Sequence, residues 1–236
     1  MHRIEMPGGQ EWEEKVLDVD PAAMRKLLLS HGCKRVHAPK MLKRNVYLLC
    51  DKTANGFARV RDDGTGVSMT VKSYEKSKNY PEEFEVQIKD SFEVGSAFIE
   101  SIGLAKKAYQ ESIREKWSHP MAHEIVIDIV PGLPPYMEVD CDTEEKLHKL
   151  KKLFQMDEAK IRTGAYGKTY EEYYGIPERV INKETPFLTF KDISKQIHPT
   201  KNQDLLKKLQ ASYKGDYVNT LYGYKSNTRK TRKAKK

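Results

Sequence analysis

An α+β protein is the fold this sequence predicts: about eight antiparallel strands with helices packed on the outside, their charged faces either solvated or rolled inward as an antiparallel β-barrel around a charged tunnel. Three observations carry that prediction. Short segments alternate apolar and charged side chains with the two-residue period of strands. Their charges come as acidic doublets and basic doublets, not as scattered polar residues. Segments with a helical apolar stripe fall between them.

The first strand reads Glu11-Trp12-Glu13-Glu14-Lys15, which puts Glu11, Glu13 and Lys15 on one face. Asp20-Pro21 then supplies an N-cap and a proline at the first helical position, and Gly32 ends that helix. Further on, Lys43, Asn45 and Tyr47 share a face opposite Val46 and Leu48. Arg59 and Arg61 alternate with Ala58 and Val60, and Ser68, Thr70 and Lys72 oppose Met69 and Val71. Gly56, Gly64 and Gly66 mark turns. Glu83, Glu85 and Gln87 form one face of the next strand, with Phe84, Val86 and Ile88 on the other.

A second helix runs from about Ser91 to Gly103, with Phe92, Phe98, Ile99 and Ile102 available for burial. Arg114 and Lys116 share strand parity; a slip of one residue would leave Lys116 a solvated edge lysine instead. Ile125, Ile127 and Ile129 oppose Glu124 and Asp128, and Met137, Val139 and Cys141 oppose Glu138 and Asp140. A third helix starts near Asp142, where Glu145 completes a capping box, and Leu147, Leu150, Leu153 and Phe154 form its stripe. The pattern over 168–199 is mixed, and 202–212 reads as a short helix. His119 and His123, beside a turn, read as surface residues.

Composition narrows the class. The 236 residues are 38% hydrophobic and 32% charged, enough for one core plus an extension. There is no apolar run long enough to span a bilayer and no signal-peptide pattern after Met1. Cys33, Cys50 and Cys141 are odd in number and widely spaced, so neither a disulfide framework nor a zinc site is expected. The expectation is a cytoplasmic protein without membrane contact. Seven bases and no acid occupy 225–236, which leaves the rest of the chain at only +1 of the formal +8. Three regions follow: a tunnel domain over 1–175, an extension over 176–212 and a basic tail over 213–236. The tail is either a solubilising segment or a nucleic-acid contact, with Tyr213, Tyr217, Tyr222 and Tyr224 placed either to stack on bases or to dock on the domain.

The doublets pose a physical problem. If helices cover the apolar faces, the charged faces line the other side, either as a solvated surface or as an inward-facing wall. A dry interior could not hold so many ions, because each unpaired one costs several kcal/mol. A wet tunnel around a polyanion and its metal ions could. Arginine and lysine grip phosphate oxygens, and carboxylates hold hard cations such as Mg²⁺ or Mn²⁺.

These strands resemble those of the CYTH family, the triphosphate tunnel metalloenzymes. Glu11, Glu13 and Lys15 match the Glu-x-Glu-x-Lys hallmark, and Arg59-Val60-Arg61, Thr70-Val71-Lys72 and Glu83-Phe84-Glu85 follow in the family's order. Asp128 and then Glu138-Val139-Asp140 resemble its late acidic strands, over roughly residues 10 to 155. Asp140 departs from the usual Glu there, which shortens its reach by one methylene. The resemblance implies that Lys15, Arg59, Arg61, Lys72 and Arg114, with Lys116 if its parity holds, bind a triphosphate. It implies metal binding by Glu11, Glu13, Glu138 and Asp140, with Asp128 and Glu85 as further ligands, and catalytic roles for Glu11, Glu13 and Glu138. The implied substrate is a triphosphate such as ATP or inorganic triphosphate. The implied reaction is metal-dependent hydrolysis, or alternatively cyclisation of ATP to cyclic AMP; binding of a nucleotide or a 5′-triphosphate RNA end without turnover is the third reading. Spacing gives no oligomeric state.

Overall fold

A computed structural model describes residues 12–51, 54–75, 82–164 and 166–213. Ten strands form one sheet: β1 (Trp12–Leu17), β2 (Lys34–Tyr47), β3 (Gly56–Asp62), β4 (Val67–Ser73), β5 (Glu82–Ile88), β6 (Lys106–His119), β7 (Ala122–Ile129), β8 (Tyr136–Cys141), β9 (Ile161–Arg162) and β10 (Phe187–Leu188). Their order is β5-β4-β3-β2-β6-β7-β8-β1-β9, with antiparallel neighbours throughout. β10 alone is parallel and takes Tyr109 and Gln110 of β6, below the stretch from Ile113 that β7 pairs.

The α+β class and the antiparallel sheet agree with the sequence. Two details differ among the described residues: there are ten strands, and no ladder joins β5 to β9, so the sheet is curled but not closed by hydrogen bonds. Glu83 and Glu85 of β5 nevertheless line one cavity together with Glu13 of β1, which shows how far the sheet rolls up.

The helices are α1 (Pro21–Ser30), α2 (Phe92–Ser101), α3 (Glu144–Leu153), α4 (Gly167–Tyr174), α5 (Ile193–Gln196) and α6 (Gln203–Ser212). None is long and apolar enough to cross a membrane among the described residues. The main core joins Ile125, Ile127, Ile129, Met137 and Val139 of the sheet to Leu28 of α1, Leu147 and Leu150 of α3, and Tyr170 and Tyr174 of α4. Burying each large aliphatic side chain of this kind stabilises the fold by about 1.5–3 kcal/mol. Residues 176–213 enter the same core through Ile181, Phe190, Ile193, Leu206 and Tyr213.

Three local expectations need correction. Asn45 and Tyr47 face α2, bonding Ser96 and Glu100, so it is Arg44 and Val46 that turn to the tunnel side, opposite Arg61 and Arg59 of β3. Phe98 and Ile102 are 54% and 56% exposed, because α2 buries Gly95, Ser96 and Ile99 against the sheet, with Phe92 partly buried beside them. Phe84 and Val86, on the outer face of the last strand in the sheet order, are also exposed. Finally, α3 is capped by Thr143, whose hydroxyl accepts from the Lys146 amide at 3.3 Å, while Asp142 instead holds the Lys146 ammonium.

Candidate functional site

Two outward-pointing acids pin the strands that carry the site. Glu14 of β1 turns away from the tunnel and meets Lys151 of α3 at 2.8 Å. Glu115 of β6 is fully buried on its outer face and meets Arg25 of α1 at 2.9 Å, with Arg35 at 3.7 Å. Because strand side chains alternate, fixing Glu14 and Glu115 outward turns Glu13, Lys15, Arg114 and Lys116 inward.

The six bases that the sequence singles out, Lys15, Arg59, Arg61, Lys72, Arg114 and Lys116, therefore face the tunnel. Glu13, Glu83, Glu85, Glu124, Asp128, Glu138 and Asp140 are among the carboxylates that face them. They line two adjoining cavities of about 480 and 530 Å³, which share Glu13, Arg59, Arg61, Lys72, Arg114 and Glu138 as walls.

The charges are paired across neighbouring strands. Lys15 sits opposite Glu138 and contacts it at 3.3 Å, while donating to the Gly164 carbonyl at 2.5 Å. Arg59 meets Glu83 at 2.9 Å and Glu85 at 3.4 Å; Lys72 meets Glu83 at 2.5 Å, and Arg61 meets Glu85 at 3.3 Å. Arg114 grips Asp128 with two parallel bonds of 2.9 and 2.7 Å and reaches Glu124 at 2.7 Å. Lys116 meets Glu124 at 2.5 Å, so it does lie on the tunnel face.

Burial and pairing shift these groups in opposite directions. Burial alone would lower Arg114, but Asp128, Glu124 and Glu138 outweigh it and hold its pKa well above the usual value. Burial would lower Lys15, yet Glu138 and Glu13 raise it. Burial would raise Glu124, but Arg114 and Lys116 bring it down to about 2. Arg61 falls to about 10, from burial and then from Arg59 and Arg114 beside it. Burial carries Asp140 up to about 6 despite the His123 hydrogen bond, and Glu13 and Glu138 add to the rise.

Glu11 lies outside the described residues, as do Tyr217, Tyr222, Tyr224 and 225–236. Tyr213 is buried and docks on the domain, its hydroxyl accepting from the Gly132 amide at 2.9 Å. His123 is exposed as expected, but it reaches back to Asp140 at 3.0 Å. Glu83 and Glu124 belong to the network although the sequence reading leaves them out of the site; each shares strand parity with a chosen acid, Glu85 or Asp128. Arg44, Lys107, Tyr166 and Lys183 also line the first cavity. Only parity could have shown Arg44, and nothing local marks the other three.

Among the described residues no three His, Cys, Asp or Glu side chains form a ready-made metal cage. The donors present nevertheless suit a hard cation. Glu13 and Asp140 are directly opposite on β1 and β8, and the buried Oδ1 of Asp140 has no hydrogen-bond partner. A carboxylate pair of this kind fits Mg²⁺, which takes one or two protein carboxylates and completes its shell with phosphate and water.

Neither a family model nor a curated protein matches the sequence. Solved structures do match in fold. A candidate adenylate cyclase from Vibrio parahaemolyticus aligns at 16% identity and a TM-score of 0.58, over 68% of this chain and 97% of that one. A conserved hypothetical protein from Pyrococcus furiosus aligns at 16% and 0.56, over 66% and 97%. A protein from Pyrococcus horikoshii aligns at 18% and 0.55, over 69% and 98%. The chain therefore has a CYTH-like fold.

Proposed function

We propose that the protein binds a triphosphate in this tunnel as a complex with a divalent cation, Mg²⁺ or Mn²⁺, and hydrolyses it. One observation carries the reading: Lys15, Arg59, Arg61, Lys72 and Arg114, from four strands, converge on cavities that they share with Glu13 and Glu138. The donor set supports the cation: Glu13 and Asp140 stand opposite each other on β1 and β8, and the buried Oδ1 of Asp140 has no hydrogen-bond partner.

Arg59, Arg61 and Lys72 bind phosphate oxygens by exchanging their present carboxylate partners for them. Arg114 stays fixed by Asp128, and that bond orients its guanidinium toward the chain. Glu13, Glu138 and Asp140, with Glu11, hold the cation; Glu85 and Asp128 serve the arginines. A divalent ion bound there neutralises charge on the phosphoryl oxygens and lowers the pKa of a coordinated water. Phosphoryl transfer needs little else from the protein than position and charge.

A second reading, cyclisation of ATP, draws on Phe57, Tyr74 and Tyr166, which line the first cavity and offer a base aromatic surface. The Vibrio protein's description as a candidate adenylate cyclase belongs to the same reading.

The test is chromatography of ATP and of inorganic triphosphate after incubation with the protein and Mg²⁺ or Mn²⁺. ADP from ATP, or phosphate and pyrophosphate from triphosphate, is expected. Glu11→Gln combined with Glu13→Gln should cut turnover by roughly 10²–10³-fold, the scale of losing a charge-stabilising group. Cyclic AMP with pyrophosphate would establish the cyclase instead. Full turnover in the double variant would remove β1 from the chemistry.

A further inference from the structure

The tunnel's charges are unevenly compensated. Each of the six bases described above has a carboxylate within 4 Å. At one end of the first cavity stand four more, Arg44, Lys107, Lys168 and Lys183, and none of them makes an ion pair among the described residues. Glu178 is the one acid lining that end, and its carboxylate accepts from Asn182 at 3.0 Å.

Backbone irregularities put two of these bases there. Between Val46 and Tyr47 of β2 the partners on β6 jump from Ala108 to Lys106, so Lys107 is the extra residue of a β-bulge. A bulge re-aims a side chain, and this one turns Lys107 onto the cavity wall. Lys183 lies in the π-helical segment Val180–Glu184, a geometry that recurs at functional sites. That segment packs closely on α4: a Cβ at Gly167 would stand 2.6 Å from the Asn182 amide oxygen. Lys168, next to Gly167, and Lys183, next to Asn182, both line the first cavity.

Arg44 is already held in place. Its Nε donates to Gln110 at 2.8 Å, its Nη2 donates to the Tyr166 hydroxyl, and its guanidinium stacks 5.0 Å above the Tyr166 ring. Both of those groups are neutral, so its charge remains available to an anion. Lys107 feels burial first and then Arg44 and Lys183, and its pKa drops to about 8. An anion seated among these bases would relieve that strain.

We propose that this end of the tunnel is a subsite for a further phosphate group, one that lies beyond the triphosphate chain held by Arg59, Arg61 and Lys72. It rests on the triphosphate reading and extends it to substrate class: a 5′-triphosphate joined to a phosphodiester, or a polyphosphate longer than three. The bases come partly from residues 167–184, past the strands that carry the triphosphate motifs.

The experiment is calorimetric titration of the full chain in Ca²⁺, with three ligands: inorganic triphosphate, a longer linear polyphosphate and a short 5′-triphosphate oligonucleotide. Wild type is compared with Lys107→Met/Lys183→Ala, which keeps the aliphatic stem that Lys107 packs with. The variant should lose roughly tenfold or more in affinity for at least one of the longer ligands, on the scale of a charge-assisted hydrogen bond, and keep its affinity for triphosphate. Which longer ligand responds identifies the source of the extra phosphate. Both proteins carry the basic tail, so its contribution cancels. An equal loss for all three ligands, or no loss for either longer one, would overturn the subsite. If inorganic triphosphate fails to bind wild type while a longer ligand still responds to the substitutions, the triphosphate reading fails and the anion subsite stands.

Discussion

Glu124 illustrates what a tunnel-facing acid does for the fold. Burial would raise its pKa, but Arg114 and Lys116 overcome that and lower it to about 2. Between that value and the ordinary 4.5 the unfolded chain binds a proton that the folded protein does not. Stability from this group is thus complete above about pH 4.5 and is lost as pH falls toward about 2. Unfolding by urea, followed at steps through that window, should show wild type weakening more steeply than Glu124→Gln. Equal slopes for the two proteins would mean that Glu124 is not ionised against Arg114 and Lys116 in the folded state.

At the scale of elements, strand parity is what the site depends on, and helices on the outer face enforce it. Glu115 is buried against Arg25 and Arg35, so a slip of β6 by one residue would bury Arg114 or Lys116 in the core and expel Glu115. Glu115→Ala should lower stability by about 3 kcal/mol, the scale of breaking a buried ion pair, as read from the urea midpoint. A loss within ~0.5 kcal/mol, as for an ordinary surface substitution, would make the pair incidental. The same parity made most of this site legible in the sequence. Glu13 and Lys15, Arg59 and Arg61, and Glu138 and Asp140 each share one face of a strand, as Lys72 does with Thr70, and all seven line the cavities. Where parity failed, a tertiary cause intervened. β2 carries polar or apolar residues on both faces, so Asn45 and Tyr47 could pass for tunnel residues until Ser96 and Glu100 of α2 claimed them. Lys107 was hidden because a bulge breaks the two-residue period at that point. The region 168–199 had no period to read, since α5 is one turn and β10 only two residues, both held by contacts far away in sequence.

Those distant contacts decide how the whole molecule holds together. Phe187 and Leu188 extend β6 in parallel, the Tyr109 amide donates to the Pro186 carbonyl at 2.9 Å, and the Phe190 amide donates to Glu111 at 3.0 Å. Tyr170 and Tyr174 of α4 donate to the carbonyls of Pro131 and Gly132, and Leu206, Ile193 and Ile197 pack over Gly132. The C-terminal residues thus finish the core beneath the β7–β8 loop, which leads directly into the strand carrying Glu138 and Asp140. Ile181, Leu188, Phe190, Ile193, Ile197 and Leu206 are all buried, at about 1.5–3 kcal/mol each on an area basis. That gross loss is comparable with the entire stability of an ordinary domain, ~5–15 kcal/mol, even after the entropy regained by the missing segment is allowed for. A chain ending at residue 175 should therefore lose its cooperative urea transition, and with it triphosphate binding. If the shortened chain instead unfolds cooperatively at the wild-type midpoint, the first nine strands and four helices form a self-sufficient tunnel, and 176–213 act on the site only through Lys183, the base they bring to the first cavity.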